Sequence, residues 1–299
     1  MVNGRADVII AGVNKAGTTS LFVSLSTHPD IAPSAVKETR YFLPARYGEP
    51  LAPEAVWEGY FAGSRAPVRL EGTPSYFYGG SRVAEVMSAR LVDPHVVLSL
   101  REPVARAISF FTYQKVRLRF PAALRIEQYL ADAERLGPDA FSDPDNEKYM
   151  AVRGGCYADF LPGWLATLGT ERVRVLDFAD VVGEQARVVR SLASWVGLDP
   201  DAFPADALQS ENRTTGFRNA GLQRVALAGN DRLERVLRRH PDLKRRLRAL
   251  YYRVNGRASE EPVSDAVRVE LAERFAAPNA RLAEQLDATG IARPGWLTD

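Results

Sequence analysis

Near the start of the chain an apolar run, Val8-Ile9-Ile10-Ala11-Gly12, leads into Val13-Asn14-Lys15-Ala16-Gly17-Thr18-Thr19-Ser20. Its glycines, hydroxyls and single lysine suit a bound anion. Glycines let backbone N–H groups approach a ligand, and the free N–H groups of a helix N-terminus point at negative charge. The triphosphate loop G-x-x-x-x-G-K-[ST] places its lysine directly after the second glycine. Here Thr18 holds that position, and Lys15 lies inside the loop. That spacing suits a shorter phosphate group, with the ammonium beside the atom that leaves. A plain strand-to-helix turn explains the glycines but not the lysine between them.

Further groups with chemical potential recur along the chain. Lys37-Glu38-Thr39-Arg40-Tyr41-Phe42 sets a carboxylate among cations, and His28 stands before Pro29. Glu71-Gly72-Thr73-Pro74 closes one β-branched run, and Arg101-Glu102-Pro103 follows another. Arginine grips phosphate in a bidentate fork, and Ser109, eight residues on, can return to the same anion from a helix.

These groups need a scaffold, and the pattern supplies an α/β one. A helix is expected from Ser20–Leu25, ending before His28. Strands are expected at Val68–Leu70, His95–Leu100 and Val173–Phe178 besides the first. Apolar residues recur at helical spacing over Glu184–Val196. Strands alternating with helices imply a parallel sheet with helices on both faces, a P-loop-like three-layer αβα fold with ligands at the C-terminal strand ends. Residues 112–150 are polar and broken by prolines, which reads as a substrate-side excursion. A basic helical stripe is expected at 231–254, with a solvated face as its plainest meaning. A last helix is expected at about 264–288, so 231–299 forms a helical C-terminal part of a single 1–299 domain.

With 46% hydrophobic and 25% charged residues, the composition is globular, and a net charge of +2 does not suggest a nucleic-acid partner. A lone cysteine excludes an intrachain disulfide, and with three histidines it argues against a structural zinc site. No signal peptide and no membrane-spanning run is expected, so the sequence reads as soluble and cytoplasmic.

Four segments together resemble the PAPS-dependent sulfotransferases, most strongly the Golgi heparan-sulfate type (3-O- and N-sulfotransferases) and its bacterial relatives. They are GVNKAGTTSL, LSTHPDIAPSAVKETRYF, EGTPSYFY and LSLREPVARAISFF, with VRGGCYADFLPGWL and NRTTGF as weaker landmarks. The resemblance implies that PAPS is the sulfuryl donor and PAP the product, with no metal. It also implies that Lys15 supports the leaving phosphate and that Ala16, Gly17, Thr18, Thr19 and Ser20 cradle the 5′-phosphate. Glu38 becomes the general base, with His28 as the alternative base. Arg101 and Ser109 become ligands of the 3′-phosphate, with Tyr157, Arg213 and Arg218 near the nucleotide. Glu71, Thr73 and Arg40 then line the site of a small-molecule, glycan or natural-product acceptor, free or carried on a carrier protein. Gly72 stands where some heparan-sulfate enzymes have a lysine, so a different acceptor pocket is expected.

Two rival readings remain. A P-loop kinase or NTPase predicts a lysine at position 18 and an acidic metal ligand after a later strand, whereas Leu100 leads into Arg101. A non-catalytic nucleotide-binding module would keep the loop and tolerate loss of Glu38.

Overall fold

The computed structural model describes residues 6–204 and 263–298, with the backbone of two short strands at 215–217 and 256–258. Five parallel strands form the central sheet in the order β2-β3-β1-β4-β5: β1 (Ala6–Gly12), β2 (Ile31–Pro33), β3 (Val68–Gly72), β4 (Pro94–Leu100) and β5 (Val173–Asp177). Every residue of β1 and β3 is buried, as parallel strands covered on both faces require.

Alternation along the strands separates the two cores. Val8, Ile10, Leu70 and Val97 pack with Leu21, Phe22 and Leu25 of α1 (Thr18–Leu25). Val188, Val189 and Leu192 of a helix at Gln185–Trp195 join the same cluster. Ile9, Ala11, Val96, Leu98 and Leu100 face the opposite way. There they meet Val83 and Met87 from Gly80–Arg90, Phe110 and Phe111 from Pro103–Val116, Trp164 from Leu161–Leu168, and Leu271 and Phe275 from Asp265–Thr289. The result is the expected three-layer αβα arrangement.

Numbering the remaining helices in chain order gives α2 (Leu43–Arg46), α3 (Glu54–Gly59), α4 (Gly80–Arg90), α5 (Pro103–Val116), α6 (Ile126–Glu134), α7 (Leu161–Leu168), α8 (Phe178–Gly183), α9 (Gln185–Trp195) and α10 (Asp265–Thr289). Strand β2 was not legible because it is three residues long and ends in proline. The stretch 112–150 is more built than its polar composition suggests. Helix α5 runs on to Val116, and Ile126, Tyr129 and Leu130 of α6 are buried in the main core. Helix α10 matches the last expected helix, capped by the Ser264 hydroxyl and by Gly290 in the left-handed conformation. The basic stretch 231–254 lies outside the described residues.

Neighbouring residues in β1 and β3 form a buried ion pair that periodicity could not announce. Arg69 reaches Asp7 through both Nε and Nη2 and Glu58 through Nη1 at 2.6 Å, while Asp7 also accepts from the Val92 N–H. An uncompensated buried charge is costly. Asp7→Ala is therefore expected to lower unfolding free energy by about 3–5 kcal/mol, read from the denaturant midpoint.

Candidate functional site

The site gathers where β1, β3 and β4 end. After β1 the Val13 N–H donates to the Ser99 carbonyl at 2.9 Å, tying the loop to β4. Lys15 (φ 72) and Gly17 (φ 75) both adopt left-handed backbone. A lysine held there is strained, and such strain clusters at ligand sites. Gly17 allows no side chain, since a Cβ would lie 2.9 Å from Val181. It is also the N-cap of α1, which has no side-chain cap and no acidic residue in its first turn. The start of α1 thus presents the Thr18 and Thr19 amides without a side-chain cap, an arrangement that suits an anion. Ala16 does not join them, because its N–H donates to the Val13 carbonyl at 3.3 Å. Thr18 is buried, while Thr19 is exposed at the helix start.

Two cations converge on this loop. The Lys15 ammonium lies 4.6 Å from the centroid of the Tyr113 ring. Burial first, and the Arg101 charge second, push its pKa down from 10.5 to about 8, against the opposing pull of Glu38. Arg101 follows β4, immediately before Glu102, whose carboxylate caps α5 by accepting from the Val104 and Ala105 N–H groups at 2.7 Å. Three contacts fix the arginine. Its Nη1 donates to the Lys15 carbonyl at 3.1 Å, its guanidinium stacks 4.6 Å from the Phe178 ring centroid, and its own carbonyl accepts from the Tyr157 hydroxyl at 2.6 Å. Ser109 lies one turn before Tyr113 on α5, hence on the face turned to Lys15.

Glu38 is brought to the same place by an unusual turn. Glu38 (φ 63) and Arg40 (φ 58) are both left-handed and bracket Thr39. The turn is held from below. The Glu38 N–H donates to the Gly72 carbonyl at 3.0 Å, Thr39 donates its N–H and hydroxyl to Glu71 Oε1, and the Arg40 N–H donates to the Thr73 hydroxyl. Glu38 itself is exposed, accepts from Lys37 Nζ at 3.0 Å, and its charge acts on both Lys15 and Tyr113. Its partner in the sequence, Arg40, points to Glu147 at 3.6 Å.

Several expectations change. Glu71 and Thr73 do not line an open acceptor site. Both are fully buried, and the Thr73 hydroxyl donates to Glu71 Oε1 at 2.7 Å beneath the Glu38 turn. Burial pushes the Glu71 carboxyl up to about 7 despite these hydrogen bonds, and its Oε2 has no partner. These two residues position the turn. Tyr157 is also buried, packed on Phe77 and Trp296 with its hydroxyl committed to Arg101, so it positions that arginine rather than facing a nucleotide.

His28 sits at the other end of the sheet, beside Ile31, which pairs with Val68 at the start of β3. Its Nδ1 accepts from the Asp30 N–H and its Nε2 donates to the Asp199 carbonyl, with Phe203 edge-on at 4.9 Å. It is a helix-stop packing residue, not a base. A Cβ at Gly72 would lie 3.1 Å from the Phe22 ring, so a side chain there points into the α1 core. Arg106, fully buried, donates to the Met150 and Ala151 carbonyls. Arg213 and Arg218 lie outside the described residues. Phe178, the first residue of α8, was not singled out in the sequence; its signal is an aromatic residue directly after the strand next to β4.

Fold and site together define an α/β protein with a lysine-bearing loop at the C-terminal ends of its parallel strands. The chain belongs to the sulfotransferase domain family, which it matches over residues 5–221. It is 28% identical over 215 residues to heparan sulfate glucosamine 3-O-sulfotransferase 3B1 of Mus musculus, covering 70% of this chain and 50% of that protein. It is 24% identical over 219 residues to the bifunctional heparan sulfate N-deacetylase/N-sulfotransferase 1 of Caenorhabditis briggsae, covering 71% of this chain and 24% of that protein. The chain thus spans only a quarter to a half of the length of these relatives. A solved sulfotransferase from Alicyclobacillus acidocaldarius shares the fold, with a TM-score of 0.61 and 22% identity over 78% of this chain and 95% of that one.

Proposed function

We propose that this chain transfers the sulfuryl group of PAPS to a hydroxyl of a small-molecule, glycan or carrier-bound acceptor. The observation that carries the reading is the pairing of Lys15 and Arg101 across one hydrogen bond at an uncapped helix start. PAPS supplies an SO₃ group that passes in line from a phosphate oxygen to the acceptor, a transfer governed by positioning and electrostatics. The chain's residues fit such a donor. The first amides of α1 and the Thr18 and Thr19 hydroxyls hold a single phosphate, while Lys15 neutralises charge growing on the leaving phosphate oxygen. Arg101 and Ser109 hold a second phosphate. Glu38 takes the proton from the attacking hydroxyl. The kinase reading lacks its lysine after the second glycine, and the exposed Glu38 opposite Lys15 favours turnover over a passive nucleotide-binding module.

The direct test incubates the chain with PAPS labelled in its sulfuryl group and a panel of hydroxylated acceptors. Label moving to an acceptor with matching PAP release is expected; PAP binding without transfer to any acceptor would favour the binding module. Two further outcomes follow from the same geometry. Arg101→Ala is expected to weaken PAP about tenfold to hundredfold by calorimetry, and Arg101→Lys to restore only part, because lysine cannot form the fork.

The second concerns pH. Phosphate beside Lys15 favours its charged form, which the free protein begins to lose near pH 8. PAP affinity should therefore hold below that value and fall as pH rises above it, with proton uptake on binding seen as a buffer-dependent heat. A flat affinity across that range would separate Lys15 from the phosphate.

A further inference from the structure

In the proposed transfer Arg101 carries the donor's second phosphate, and its grip depends on supports from two separate elements. The Tyr157 hydroxyl donates to its carbonyl at 2.6 Å, and the Phe178 ring centroid lies 4.6 Å from its guanidinium. Tyr157 opens a 3₁₀ turn that ends at Asp159, whereas Phe178 opens α8. An arginine side chain has several rotatable bonds, and ordering them on binding costs affinity unless the free protein has already fixed them.

Both supports are met by one short segment that follows α10. After Gly290 the chain turns back, and Arg293 pairs with Asp287 through Nε at 2.9 Å and through Nη2. Gly295–Leu297 then forms a 3₁₀ turn, closed by the Leu297 N–H on the Pro294 carbonyl at 2.9 Å and anchored by the buried Leu297 side chain. From this turn the Trp296 ring meets the Tyr157 ring in a T-shaped contact, with centroids 6.1 Å apart. The Gly295 N–H donates to Asp177 Oδ2 at 2.7 Å. The other oxygen of Asp177 accepts from the Ala179 N–H at 2.9 Å and caps α8, which fixes Phe178 between the two.

Helix α10 braces the Tyr157 turn as well. Gln285 donates to the Ala158 carbonyl at 3.1 Å, and Arg281 pairs with Asp159 at 2.8 Å. That bracing holds the backbone of the turn, while the direction of the Tyr157 ring is left to Phe77 on one contact and Trp296 on another. Deleting the indole removes one of these ring contacts and frees the hydroxyl to leave the Arg101 carbonyl. Losing the bond from Gly295 loosens the carboxylate that caps α8, and with it the ring on which the guanidinium rests.

We propose that Trp296 and Asp177 are positioning residues for the donor's 3′-phosphate. The turn at Gly295–Leu297 holds Tyr157 and Phe178 against Arg101 and so presets the guanidinium before the nucleotide arrives. Both residues act through Arg101, and the 5′-phosphate at the start of α1 does not depend on them. The inference rests on the sulfuryl-transfer reading, which makes Arg101 a phosphate ligand.

The test compares PAP with adenosine 5′-monophosphate, which lacks the 3′-phosphate, by calorimetry on the full chain. Trp296→Ala and Asp177→Asn, each checked for folding by circular dichroism, are expected to weaken PAP about fivefold to tenfold, the range for one lost positioning contact. The monophosphate should change by less than about twofold, a split that general loosening of the fold would not produce. Trp296→Phe keeps a ring against Tyr157 and should restore most of the PAP affinity. In an Arg101→Ala background Trp296→Ala should add almost nothing, because the group it positions is gone. Equal losses for the two nucleotides, or an undiminished effect of Trp296→Ala without Arg101, overturns the proposal and leaves the donor reading in place. Failure of the unaltered chain to bind PAP at all removes both.

Discussion

Replacing Lys15 by alanine is expected to lower kcat for sulfuryl transfer by about 10²–10³-fold, the usual cost of deleting one preorganised group aimed at developing charge. The ammonium sits on a left-handed backbone between Val13 and Gly17, partly buried, with Arg101 and Tyr113 beside it. Its position is set by the loop. Alanine tolerates the same backbone no worse than lysine, so the fold should persist and the melting temperature should change little. PAP affinity should fall far less than kcat, because the α1 amides and Arg101 still hold the phosphates. Lys15→Arg should recover part of the rate. Steady-state rates with PAPS varied, alongside PAP calorimetry, separate the two effects. An alanine variant with unimpaired kcat would remove Lys15 from the reaction.

Glu38→Gln carries the second large effect, a loss of about 10²–10⁴-fold in kcat as expected for a general base. Glutamine keeps the size of the side chain and the Glu38 N–H bond to Gly72, so the turn is preserved. PAP affinity should hold or improve slightly, since a negative charge near the phosphates is gone. The control is His28→Gln. That change breaks contacts with Asp30, Asp199 and Phe203 and should lower stability while leaving the chemical step alone. Full activity in Glu38→Gln would assign proton removal elsewhere.

Much of this arrangement was legible in the chain because it depends on local signals. The run Val8–Gly12, the loop glycines and the strand before Arg101 are contiguous features, and each lies where the sequence predicted. What escaped depends on contacts between distant segments. Whether Glu71 faces a ligand or the core is decided by Thr39, far away in sequence, and the periodicity of a five-residue strand holds no trace of it. Tyr157 resembled a nucleotide ligand, yet its hydroxyl turns to a backbone carbonyl that no motif encodes. The pairing of Asp7 with Arg69 follows from strand register, which is set only when β1 and β3 align. Residues 112–150 misled because polar composition hid the buried stripe of Ile126, Tyr129 and Leu130.

The place of Lys15 in the loop is the central claim, since it separates a donor with one 5′-phosphate from a triphosphate. Calorimetric titration with PAP in the absence of Mg²⁺, set against ATP with Mg²⁺, tests it most directly. Saturable binding of PAP, weakened by Arg101→Ala and unaffected by chelator, is the predicted result. Binding of ATP with Mg²⁺, together with no heat from PAP, would contradict it.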